Sequence, residues 1–207
     1  MDRRVEKGKA TRDVLMSAAR SLFGEHGYDG TSIDAILQAS GVARGALYHH
    51  FATKEALFDA VLEREVATIA AAAAEAARAA SDPVASLRAG CATWLRHALD
   101  PAVQRIALLD SPAVVGWTRW REIDEQHTLG RLRANVKRIA DDGTIPADQV
   151  DVLTNMVLAA VAEVALVIAR DDDPDAALET GLQALDTLLT RVFAAGEDHG
   201  RSTGRRE

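Results

Sequence analysis

Cysteine is almost absent: Cys91 is the only one in 207 residues. A single thiol excludes an intrachain disulfide framework and cannot build a cysteine-type zinc site. Proline is sparse, with five residues, so few helices need be interrupted. Aromatic residues make up only 4% of a chain that is 48% apolar, and with abundant alanine this balance suits packed helices far better than sheets. The amino-terminal segment MDRRVEKGKATRD lacks the apolar stretch of a secretory signal, which gives the expectation of a cytoplasmic protein. A glycine-rich phosphate loop, an H-E-x-x-H pair and a nucleophile elbow are all missing, so an enzyme is not expected and no cofactor is implied. The alternative class is a helical enzyme, with Glu163 and a histidine as acid and base, or a ligand-binding protein that makes no contact with DNA.

A strongly basic balance is also lacking, since the net charge is −7. Its distribution matters more than its sum. Residues 1–60 hold eight basic and eight acidic side chains, so the remaining 147 residues carry the whole deficit. Arg3, Arg4, Lys7, Lys9 and Arg12 crowd the first twelve residues. A basic arm beside an acidic body fits a protein that meets phosphate with one end only.

The stretch 150–169 is about as long as a membrane span and mostly apolar. It contains Asp151, Asn155 and Glu163, and Arg170 after it is followed at once by three aspartates, so no basic flank develops. A central carboxylate is costly in lipid, at roughly 2.5–3.5 kcal/mol. The stretch therefore reads as a buried helix, and no membrane partner is expected.

What is present is helical periodicity. Leu15, Ala18, Ala19, Leu22 and Phe23 form one apolar stripe, which predicts a short first helix ending at Gly24 and Gly27. Tyr28-Asp29-Gly30 signals a turn, and in Thr31-Ser32-Ile33-Asp34 the threonine is placed to cap a second helix with Asp34 in its first turn. Gly41 breaks that helix. Val42, Leu47 and Phe51 then give a third helix its apolar side, leaving Arg44, Tyr48, His49 and His50 to project. Thr53 caps a fourth, extended by the alanine-rich run 67–80. Further helices are expected at about 83–99, 101–110, 116–141, 147–170 and 174–195, three of them opened by an Asp-Pro pair that caps and starts the helix.

Helix, tight glycine turn, helix over residues 33–51 describes a helix-turn-helix. Gly45 and Ala46 let the third helix approach a groove wall, Arg44 reaches guanine edges or phosphate, and Tyr48, His49 and His50 offer donors to the sugar-phosphate chain. Lys54 lies in the first turn of the fourth helix, where a cation opposes the helix dipole at a cost of a few tenths of a kcal/mol. A phosphate docked there would remove the conflict, whereas a solvated lysine is the plain reading.

These elements occur in an order that resembles the TetR family of bacterial transcriptional repressors. The likeness rests on Gly27-Tyr28, Thr31-Ser32-Ile33, Ser40-Gly41-Val42, Gly45 to Phe51 and Lys54-Glu55. It implies DNA-contact positions at Thr31 and Ser32, at Arg44, Gly45 and Ala46, at Tyr48, His49 and His50, and at Lys54. Two departures stand out. The family usually has serine where this chain has Ala43, which removes a cap worth about 1 kcal/mol. Ala46 replaces a frequent threonine and can still touch a thymine methyl.

The resemblance implies an all-α protein with an N-terminal three-helix helix-turn-helix domain, joined by a long helix to a helical ligand-binding and dimerisation domain. The boundaries expected are 9–69 for the first (helix-turn-helix about 32–51), 70–197 for the second and a disordered tail at 198–207. The implied function is a repressor that binds a pseudo-palindromic operator in double-stranded DNA as a homodimer and is released by a small-molecule effector of unknown identity.

Read directly, the helices at 147–170 and 174–195 are apolar on more than one side, which suits a four-helix interface between two copies. Trp94, Trp117 and Trp120 are the three tryptophans and candidates to line an effector cavity. Glu163 stands among apolar neighbours, where an unpaired carboxylate is costly; Arg105 or Arg119 could pair with it, or it could face the ligand. His97 and His127 are weaker candidates. Asp124 and His127 have the spacing of a bundle metal ligand, but no second such pair accompanies them, so no metal is expected.

Overall fold

A computed structural model describes residues 3–193, and among them there are nine helices and no strand. They are α1 (Arg3–Gly30), α2 (Ile33–Ser40), α3 (Arg44–His50), α4 (Lys54–Arg78), α5 (Pro83–His97), α6 (101–114), α7 (116–141), α8 (Val150–Arg170) and α9 (Pro174–Val192). The end expected for α9 at residue 195 and the tail expected at 198–207 lie outside the described residues.

The first helix differs from its expected form. It begins at Arg3, runs through Gly24 and turns only at Gly27, where φ is 73° and ψ 175°. Residues 3–14 contain no proline and are rich in good helix formers, so nothing stops the helix from reaching back through the basic segment. Gly24 marks a close approach, not a stop. A Cβ built there would lie 2.5 Å from Ala102 Cβ and 2.9 Å from Ala102 Cα, so α1 touches the start of α6 only because residue 24 has no side chain.

The cap of α2 is also displaced by one residue from its expected place. Ser32, not Thr31, accepts the N–H of Ala35 at 3.1 Å. Thr31 is turned inward and its hydroxyl donates to the carbonyls of Gly27 at 2.8 Å and Leu22 at 3.0 Å. It seals the end of α1. Gly41, with φ 66°, ends α2 in the left-handed conformation that a side chain disfavours, and its N–H reaches Leu37 O at 3.0 Å. The three Asp-Pro starts are as expected: Asp82, Asp100 and Asp173 accept from the N–H groups of Ala85, Ala102 and Ala176.

Two cores divide the interior. One joins α1–α4 with α6 through Phe23, Leu47, Phe58, Leu62 and Ile106. The other joins α5, α7, α8 and α9 through Leu95, Val136, Val157, Ile168 and Leu189. Trp94 packs against both. Charged groups tie the two halves together: Arg20 of α1 holds Glu65 of α4 at 2.9 Å and Asp100, the cap of α6, at 2.6 Å. Asp110 of α6 accepts the Tyr28 N–H at 2.8 Å. This bond ties α6 to the turn that precedes α2.

Helix 147–170 is long and apolar enough to cross a membrane by length and composition, yet Val157, Val161, Ala165 and Ile168 pack it into the second core. The expected burial on further sides is not found within one chain. Val152, Met156 and Val167 on its opposite side are exposed.

Candidate functional site

The third helix is short, and each of its sides has a distinct task. Leu47 is fully buried and Phe51 nearly so, which fixes the helix against α1 and α4. On the opposite side Arg44, Gly45, Tyr48 and His49 are exposed, while Ala46 and His50 are half-buried. Nothing lies within 4 Å of a Cβ built at Gly45, so that stretch of backbone is open to an approaching surface. Ala43 supplies no side-chain cap, which leaves the first N–H groups of α3 free for another acceptor. Arg44 is not loose: its guanidinium pairs with Asp34 of α2. That partner lies in the first turn of α2, where its charge also suits the helix dipole.

Ser32 is exposed at the head of α2, close to the same outward side. Thr31 differs. At 2% exposure its side chain is spent inside the fold, away from the exposed side of α3. Lys54 receives a structural explanation that its sequence position did not suggest. Its ammonium donates to Tyr28 O at 2.8 Å and Thr31 O at 3.1 Å and lies 3.9 Å from the Tyr28 ring centroid. The carbonyl groups at the end of α1 offset its conflict with the dipole of α4. Lys54 thus clamps α1 to the start of α4 and carries positive charge there.

A second candidate site is an open cavity of about 380 Å³ lined by α4, α5, α6, α7 and α8. Its walls are mostly small and apolar, because the alanines of α4 (Ala70, Ala73, Ala74 and Ala77) leave room that larger residues would fill. Trp94, Trp117, Trp120 and Glu163 border it. The Trp117 and Trp120 rings lie 5.0 Å apart, and Trp117 is 65% exposed at the mouth. His97 does not border it. It occupies the last turn of α5, past the stretch that faces the cavity.

Glu163 is exposed, so the expected desolvation cost does not arise within one chain. Neither suggested partner serves it: Arg119 binds Asp59 and Glu63 of α4, and Arg105 lies beside Gly27. The polar residues of the cavity come mainly from α7: Arg121, Asp124, His127 and Thr128. Among them Glu125–Leu129 adopts π-helical geometry, a widened turn. Burial pushes the Asp124 carboxyl up to about 6, against a weaker opposing pull from Arg121. The Cys91 thiol in the wall is pushed up to about 12 by burial, so it remains a protonated, unreactive packing group.

A model of the tetR family of bacterial regulatory proteins matches residues 15–61. A model of the tetracyclin repressor-like C-terminal domain matches residues 84–192, more than half of the chain. The chain belongs to the TetR family of transcriptional regulators. A solved TetR-family regulator from Pectobacterium atrosepticum is 30% identical, with a TM-score of 0.76 over 94% of this chain and 98% of that one. The transposon Tn10 TetC protein of Escherichia coli is 28% identical over 152 residues, 73% of this chain and 77% of that protein. The repressor AcnR of Corynebacterium glutamicum is 38% identical over 65 residues, which cover only 31% of this chain and 35% of AcnR.

The protein is therefore a DNA-binding transcription regulator and not an enzyme. For a TetR-family member the two sites fall in different halves of the chain, and the structure links them through α4. Arg119 of α7 holds Asp59 at 2.8 Å and Glu63 at 2.8 Å, and His127 Nε2, on the cavity wall, lies 3.4 Å from Glu63 Oε1. Asp59 and Glu63 stand five and nine residues, roughly one and a half and two and a half turns, beyond Lys54 and its clamp on α1.

Proposed function

We propose that the protein is a ligand-responsive repressor that binds a pseudo-palindromic operator as a homodimer and leaves it when a small molecule fills the cavity. The observation that carries this reading is the outward side of α3, with Arg44 held by Asp34 and Gly45 bare, backed by the buried Leu47 and Phe51. On this reading Arg44 reads a base edge, Tyr48, His49 and His50 grip the sugar-phosphate chain, and Ser32 and Lys54 add contacts or charge from the flanking helix starts. Ala46 lies against the groove wall. Residues 9–69 form the DNA-binding unit and 70–197 the effector and dimer unit, acting in the cytoplasm.

Dimerisation is supported by the stripe Val152, Met156 and Val167 on α8, flanked by Leu188 and Val192 on α9, all exposed in one chain. Two copies of α8 and α9 form a four-helix interface that covers these side chains. The same pairing places Glu163 near the partner and narrows the mouth of the cavity. Effector binding on the α7 side then shifts Arg119, Glu63 and α4, and with them the separation of the two α3 helices. Such a shift requires the ligand to favour one of the two arrangements.

Arg44→Ala is expected to weaken specific binding by about 1–3 kcal/mol, while leaving most non-specific, salt-sensitive binding in place. A gel shift on a duplex selected from random sequence, repeated across a salt series, measures both. Unaltered specific affinity in the variant contradicts this assignment of α3.

A further inference from the structure

The ion pair on the outward side of the helix-turn-helix has a use beyond joining two helices. We infer that Asp34 is a positioning residue for base reading: its carboxylate fixes the Arg44 guanidinium so that it meets N7 and O6 of one guanine and is kept off the phosphates. This role rests on the reading of α3 as the helix that enters the major groove.

The pair joins the first turn of α2 to the first residue of α3, ten positions further along the chain. Stability does not account for it. The Asp34 and Arg44 side chains are 76% and 55% exposed, and an ion pair in that much water adds little to folding. Nor is Asp34 needed to cap α2, because Ser32 already accepts the Ala35 N–H. Among the described residues the Asp34 carboxylate bonds only to Arg44. The dipole of α2 favours an acid at position 34, but it would do so without aiming the acid at Arg44. The plain alternative is that Asp34 merely offsets the conflict between Arg44 and the dipole of α3, and that role carries no dependence on the base.

A carboxylate on a surface that faces DNA has a cost. It repels the phosphates, so duplex of every sequence is held less tightly. Discrimination is what it gives in return. An unheld arginine has many rotamers and can swing to the nearest phosphate, a contact without sequence information. Asp34 takes one of the five guanidinium N–H groups, at Nη2. Four remain, and two of them reach the paired acceptors N7 and O6 of guanine. Adenine presents a donor beside its N7, so a guanidinium that cannot turn away rejects it. The open backbone at Gly45 lets the groove edge come close to the held side chain.

The test measures the affinity of the full-length protein for a duplex selected from random sequence, with guanines replaced one at a time by 7-deazaguanine, which lacks the N7 acceptor. Replacement of one guanine in each half-site is expected to cost the unaltered protein about tenfold, and Arg44→Ala should abolish that penalty. Asp34→Ala should cut the penalty at the same guanine to about threefold or less and leave the penalties at other guanines as they were. The same variant should bind unrelated duplex several-fold more tightly, with the slope of log affinity against log salt steeper by about one as Arg44 turns to a phosphate. Asp34→Asn keeps an acceptor for the guanidinium without the charge. It should gain affinity for unrelated duplex and retain more of the guanine penalty than the alanine variant. Melting of either variant should hardly move.

Full retention of the guanine penalty in Asp34→Ala overturns the inference. So does an equal loss at every guanine, which marks a general loosening of the two helices. If Arg44→Ala silences one guanine and Asp34→Ala does not, the reading of α3 stands and the pair serves only the helix dipole. If Arg44→Ala leaves every penalty in place, the reading of α3 falls and the role of Asp34 with it.

Discussion

Aspartate in place of both Met156 and Val167 is expected to turn the dimer into monomers and to weaken operator binding by about 10²–10⁴-fold, the usual loss when two linked contacts become one. Both side chains are exposed within a single chain, at 59% and 52%, so the substitutions touch neither core. Helical content and melting of the isolated subunit should hardly change. In a four-helix interface the same positions face their copies, and four buried carboxylates per dimer would have to be desolvated, with Arg170 at the end of that stripe as the cation α8 supplies. Light scattering reads the mass and a gel shift reads the affinity. A variant that remains dimeric and binds the operator as before would place the interface elsewhere.

Phe58→Ala is expected to cost about 3–5 kcal/mol, a large share of the 5–15 kcal/mol that holds a typical domain folded. Phe58 is fully buried on α4, edge-on to Phe23 at 5.1 Å and to Tyr28 at 5.3 Å. Its removal leaves a cavity where α1, α4 and the turn before α2 meet, and none of these neighbours can collapse into it without moving α3. Denaturant unfolding measures the loss. A change below about 1 kcal/mol would mean that this aromatic cluster is not the keystone of the DNA-binding half.

Much of the fold was readable because helix signals here are local. Asp-Pro pairs, Thr53 and Gly41 act through their own backbone neighbours, and the structure places each where its chemistry dictates. The failures share a physical cause: each depended on a partner distant in sequence. Gly24 reads as a stop until Ala102 is found against it. Lys54 reads as unexplained until the carbonyls of Tyr28 and Thr31 are found beneath its ammonium. Thr31 and Ser32 compete for one cap, and the choice goes to Ser32 because α1 ends against the threonine hydroxyl.

The cavity was the least legible part. Trp94, Trp117, Trp120 and Glu163 could be singled out for rarity, but rarity does not set direction, and His97 proved to lie past the cavity. Asp124 and His127 were visible as an i, i+3 pair whose spacing suggested only an improbable metal. The burial of Asp124 at the cavity wall and the π-helical turn Glu125–Leu129 that follows it emerge only from the folded chain. No periodicity in the sequence announces a widened turn.

The central claim is that two α3 helices enter successive major grooves on one side of a duplex. Methylation interference at guanine N7, carried out on the sequence selected from random DNA, tests it most directly because N7 is exposed only in the major groove. Two symmetric clusters of interference about one helical turn, roughly 34 Å, apart or a multiple of it are expected, and in Arg44→Ala the innermost guanine of each cluster should become silent. A single cluster, or protection confined to the minor groove, would contradict the account.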